Sequence, residues 1–349
     1  MRSKLAIIGF SASVALAVHS SATTPTYRLL TEIPVGSDGG WDYLSIDSAA
    51  HRLYVAHATK VVVIDTEKNS VVGEIADTPG VHGFAIAPEL HRGFSSNGRE
   101  SRVSIVDLAT LKTISKVETG ENPDAILFEP ARAEVYAFNG RGHSATVFEA
   151  ATGKVVATIP LEGKPEFGVS DASAGRVYVN LEDKNAIAVI DTKTHTVAAV
   201  WPIAPGEEAT GLAIDLAHHR LFAGCGNEKM VMLDSSTGKV IASVAVGAGV
   251  DAAAFDPGTQ LAFSSAGGSG TVTIALEDGA DKLSVVQTLA TERSARTMTI
   301  DPATHRIYLA SAKFQAPAEA PANGQRQRPQ MIPGSFKILV FGTDAPPKS

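Results

Sequence analysis

One four-residue phrase, returning seven times, constrains this chain more than any other feature. It reads Arg52-Leu53-Tyr54-Val55, Arg92-Gly93-Phe94-Ser95, Glu134-Val135-Tyr136-Ala137, Arg176-Val177-Tyr178-Val179, Arg220-Leu221-Phe222-Ala223, Gln260-Leu261-Ala262-Phe263 and Arg306-Ile307-Tyr308-Leu309. The third place is aromatic in every copy but the sixth, and successive third places lie 40, 42, 42, 44, 40 and 46 residues apart. A period near 40 built only from strand-like runs is that of a β-propeller with one four-stranded blade per repeat. The expected fold is all-β, a seven-bladed β-propeller. A ring of seven repeats overrides the two domains that 349 residues suggest by length alone.

The first repeat shows how a blade is written. Trp41 to Asp47 reads as the inner strand, Arg52 to His57 as the second, Val61 to Asp65 as the third and Val71 to Ile75 as the outer one. Asp65, Asp107, Asp191 and Asp234 end third strands and are read as turn formers. Repeat seven stops one strand short, while Tyr27 to Val35 is an orphan run resembling an outer strand. Pairing the two closes the ring and removes an exposed edge. Repeat seven also carries a long loop, 312–335, with four prolines and the run Gln325-Arg326-Gln327-Arg328; it reads either as a lid over the ring mouth or as a surface excursion.

Residues 1–22 read as a secretory signal peptide. Arg2 and Lys4 precede the uncharged run Leu5 to Val18, and Ser20-Ser21-Ala22 offers small residues for cleavage. The remainder, 23–349, is expected to be one propeller domain, periplasmic or secreted, without a membrane span. Without the leader, 28 basic residues face 37 acids, a formal charge of −9. That balance opposes attraction to nucleic acid. The single cysteine, Cys225, rules out an intramolecular disulfide and reads as a buried, inert thiol.

Counting five residues back from the end of each inner strand picks out Asp42, His82, Asp124, Glu166, Thr210, Asp251 and Arg296, one per blade. Three residues beyond the marker aromatic, the first three second strands end in His57, Asn97 and Asn139, and Trp41 stands beside the ring. The expected ligand site is therefore Trp41, Asp42, His57, His82, Asn97, Asp124, Asn139, Glu166, Asp251 and Arg296 at the channel mouth. His82, Asp124, Asn139 and Glu166 are the expected ligands if a divalent ion (Ca, Mg or Zn) is bound, and Arg296 would orient an anionic group. A structural reading competes: the ring side chains cap the contact between blades and bond neighbouring backbone.

The phrases Leu53-Tyr54-Val55-Ala56 and Val177-Tyr178-Val179-Asn180, the latter followed by Val189-Ile190-Asp191-Thr192, resemble the YncE-like family of YVTN-repeat propellers. Gly40-Trp41-Asp42-Tyr43-Leu44, Pro79-Gly80-Val81-His82-Gly83, Gly120-Glu121-Asn122-Pro123-Asp124-Ala125 and Lys164-Pro165-Glu166-Phe167 look like an exported subgroup of it. The resemblance implies the fold and export. DNA binding has been proposed within the family, and the acidity of this chain argues against it. Three functions stay open: binding of a small polar ligand, with or without a divalent ion; a metal-assisted lactonase or lyase, with His82 or His57 as base and an ion on Asp124, Glu166 and Asn139; and a rigid protein-interaction platform.

Overall fold

The computed structural model describes residues 25–279, 281–315 and 329–343. Seven four-stranded antiparallel sheets account for all 28 of their strands. In blades one to six the strands follow chain order, inner to outer. The inner strands are Trp41–Asp47, Val81–Ala87, Pro123–Glu129, Pro165–Asp171, Ala209–Asp215, Val250–Asp256 and, in blade seven, Met298–Asp301. The signal-peptide reading and residues 316–328 of the long loop lie outside the described residues.

Blade seven is completed from the other end of the chain. The N-terminal strand Arg28–Pro34 pairs antiparallel with Lys337–Gly342, from Arg28 opposite Gly342 to Pro34 opposite Lys337. Its Ile33 is fully buried in a cluster shared with blade one, among Leu53, Val55 and Ile338. Just before the strand, Tyr27 packs edge-on against Phe263 of blade six at 5.3 Å. Its backbone is clamped by Gln287, which accepts from Tyr27 N at 2.9 Å and donates to Tyr27 O at 2.8 Å. The ring is thus locked on both sides of its joint.

The marker aromatics Tyr54, Phe94, Tyr136, Tyr178, Phe222 and Tyr308 are all buried between blades. Tyr54 stacks on Phe84 of the next blade at 4.7 Å and Phe222 on Phe255 at 5.0 Å. The phrase repeats because each copy supplies the large apolar surface that seats one blade on another. In the second copy Gly93 replaces a leucine because the Phe84 ring lies on it; a Cβ there would sit 2.1 Å from Cζ. The turn aspartates behave as read: Asp65, Asp107, Asp191 and Asp234 each accept two backbone N–H bonds from the turn that follows.

Candidate functional site

All seven ring positions are half-buried, as residues lining one opening should be. A feature of the inner strands aims them there. In each of blades one to six the pairing with the second strand slips at the ring position: Trp41 faces His57 but Leu44 faces Val55, so one extra residue sits in the inner strand. The same insertion occurs between Val81 and Phe84, Pro123 and Ile126, Pro165 and Gly168, Ala209 and Gly211, and Val250 and Ala252. A β-bulge leaves its residues out of the ladder and re-aims their side chains, so in blades one to six the ring positions are bulge residues.

The bulges bring charged groups of separate blades together. His82 Nδ1 lies 2.7 Å from Asp42 Oδ2 and 3.6 Å from Asp124 Oδ1, joining blades one, two and three. Arg296 donates to Asp251 and, at 2.7 Å, to the Trp41 carbonyl, joining blades six, seven and one. Lys164 Nζ sits 3.6 Å from Glu166 and in contact with Glu182. Glu166 Oε2 is buried with no hydrogen-bond partner. Beside the carboxylates, the buried Tyr43 of blade one meets Phe167 of blade four edge-on at 5.0 Å.

This crowding sets the protonation states. Burial, and then the charge of Asp124, pushes Glu166 up to about 8. Burial pushes Asp124 up to about 6; the nearby His82 works against it and Asp42 adds to it. Asp251 is raised by burial, with Arg296 opposing. Burial disfavours the His82 imidazolium, but its bond to Asp42 and the fields of Asp124, Asp42 and Glu166 outweigh that, so its value rises. Burial is the leading cause of the rise in each of these three carboxyls.

Four expected site residues lie elsewhere. Trp41 is 8% exposed and packs on Phe336 at 5.2 Å, between blades seven and one. His57, its cross-strand partner, is fully buried, stacks on Phe336 at 4.2 Å and bonds Ser37 Oγ at 2.8 Å. Burial lowers its pKa. Asn97 bonds Glu100 and Ser104, and Asn139 bonds Ser144 and Thr146, each inside its own blade. The reason is register: His57, Asn97 and Asn139 pair with the residue before each ring position, whose side chain faces the other way.

Much of the lacing between blades is done by polar residues of the second strands, a role the sequence reading did not assign. Ser96 donates to Asp124 O at 2.5 Å, Asn180 to Gly211 O at 3.0 Å, and Ser265 to Arg296 O. A polar residue at the fifth position of a second strand was the available signal. Among ring side chains, Thr210 and Arg296 do bond neighbouring backbone, as the structural reading expects. Asp42, Asp124 and Glu166 instead face other charged groups.

Cys225 is fully buried, and burial pushes its thiol up to about 12. It is expected to ignore an aromatic disulfide reagent at pH 8 in the native protein and to react fully in denaturant. Rapid native-state labelling would contradict that burial. The stem of the long loop bridges Phe314 to Met331, and Phe314 lies 6.2 Å from Trp41, over the joint between blades seven and one.

Fold and ring together define a seven-bladed β-propeller whose inner strands carry a mainly acidic set of side chains. The chain belongs to the PQQ_2 family, described as outer membrane protein assembly factor BamB, which it matches over residues 99–330. It is also similar to the protein titled "Uncharacterized protein YncE" of Salmonella typhimurium (strain LT2), 27% identical over 108 residues, and to that of Salmonella typhi, 26% identical. Each match covers 30% of this chain and 30% of the relative. These relatives agree with the YncE-like resemblance of the repeat phrases. Among solved structures, Kuenenia stuttgartiensis hydrazine synthase superposes with a TM-score of 0.68 at 15% identity, over 85% of this chain and 96% of that one, a likeness of fold. No helix among the described residues is long and apolar enough to cross a membrane.

Proposed function

We propose that this protein is an exported binding propeller whose mouth takes a small polar ligand together with a divalent metal ion. One observation carries the reading: ligand atoms of Asp42, His82 and Asp124, from three different blades, lie within 4.8 Å of one another. Two carboxylates and an imidazole are a hard-to-borderline donor set suited to such an ion. The Arg296 guanidinium, part of which is exposed, then offers the ligand a donor group. Export rests on the leader-like start of the chain, and fits a family described by an outer membrane assembly factor.

Calorimetric titration of chelator-stripped protein with Zn²⁺, Ca²⁺ and Mn²⁺ tests this. Asp124→Asn is expected to weaken binding by more than the roughly 10–100-fold that losing a ligand's hydrogen-bond partner costs. Equal affinity in wild type and variant, or no binding at all, would sink the metal reading. An interaction platform is the second reading, favoured by a 610 Å³ groove beneath the loop stem, edged by the exposed Phe314 and Ile332. A protein inert to metals would move the balance there.

A further inference from the structure

A second cluster lies away from the mouth, between blades five and six, and it breaks the pattern of the repeats twice. Acids ending the third strands of blades one, two, four and five cap their own turns, and Glu149 in blade three accepts from Thr152. Glu277 ends the third strand of blade six and does neither; its side chain is 2% exposed, no N–H or hydroxyl donor reaches either carboxylate oxygen, and it is left against the Asp215 carboxylate. The second departure faces it. Inner-strand acids Asp256 and Asp301 spend their outer oxygen on a threonine three residues on, Thr259 or Thr304. In blade five that place is taken by His218, whose Nδ1 lies 2.5 Å from Asp215 Oδ2 and 3.9 Å from Glu277 Oε1.

We infer that Asp215, His218 and Glu277 form a site for a divalent transition-metal ion of the Zn²⁺ class, which pins blade five to blade six. Their ligand atoms lie within 4.8 Å of one another, and one imidazole with two carboxylates is a three-ligand zinc set. Asp215 Oδ1 is occupied by the Ala217 N–H at 2.9 Å, so Oδ2 is the atom offered. The His218 side chain is half exposed, which leaves the fourth position to water. Two other histidines that bridge blades away from the mouth each meet a single acid: His305 meets Asp256 at 2.7 Å and His195 meets Glu134 at 2.8 Å. Here a second acid is buried beside the pair. Arg220, bonded to Asp234, offsets part of the negative charge here. Burial, and then a hydrogen bond shared with Asp215, raises the pKa of Glu277.

The test uses the chelator-stripped full chain titrated with Zn²⁺, reading stoichiometry by calorimetry and melting temperature against zinc concentration. Glu277→Gln and His218→Ala are each expected to lose one equivalent of zinc, while Asp124→Asn, altered at the mouth, keeps that equivalent. His218 is half exposed, so its variant folds even if the Glu277 variant does not. Unchanged zinc stoichiometry and unchanged zinc-dependent melting in His218→Ala would overturn the proposal, whatever the mouth binds.

Discussion

A chain lacking Arg28–Pro34 is expected not to reach a stable, monodisperse native state. Its loss strips the outer strand from blade seven and bares the edge of Lys337–Gly342, which reads Lys-Ile-Leu-Val-Phe-Gly. An unpaired apolar edge of that kind templates association. The loss also removes Ile33 from the cluster shared by blades seven and one, and frees Tyr27 from its clamp on blade six. A graded version is Ile33→Ala, expected to cost roughly 2–5 kcal/mol, as for other fully buried isoleucines. A permuted chain carrying the same segment after Thr343 is expected to fold, because only the order of connection changes. Light scattering and thermal melts of the three chains provide the check. A truncated chain that melts like wild type and stays monomeric would refute closure by this strand.

The repeat made most of that architecture legible in the sequence. Inner-strand ends at Asp47, Glu129, Asp171, Asp215, Asp256 and Asp301 are where the turn residues put them, so counting back from them found the ring positions. The orphan run Tyr27 to Val35 was legible for the same reason, as an unpaired strand opposite a blade one strand short. The second-strand exits were not legible as to facing. Strand alternation with no inserted residue puts His57 beside Asp42, whereas the bulge after Trp41 separates them. A bulge leaves little mark in a strand pattern, because it changes neighbours without changing composition. Long-range contacts were hidden too: Tyr43 meeting Phe167 joins blades one and four, and no local pattern encodes which residues meet near an axis. Glu277 carries no mark in the sequence, because what sets it apart is its burial against Asp215, which only packing reveals.

Glu166→Gln is expected to stabilise the protein at pH 8.5 and to flatten its pH dependence. The sign follows from burial. In the unfolded chain Glu166 ionises near its ordinary value of 4.5, whereas in the fold it does so at about 8. Below 4.5 the group is protonated in both states and costs nothing. As pH climbs, the unfolded chain ionises first, so the fold loses stability progressively until both states are charged above about 8. Asp124 adds a smaller loss between its ordinary 3.8 and about 6. The Glu166 side chain is only 12% exposed, so solvent screens little of that penalty, which it shares with the neighbouring Asp124. An amide of the same shape never ionises, so it removes that slope. A bound cation should do the reverse, favouring the charged carboxylates so that added metal stabilises wild type more at pH 8.5 than at pH 5 and stabilises the Gln variant less. Chemical denaturation at both pH values, with and without metal, measures all of this. If Glu166→Gln proves less stable than wild type at pH 8.5, the Glu166 carboxylate is well satisfied where it sits, and the mouth is not a store of ionisation strain waiting for a ligand.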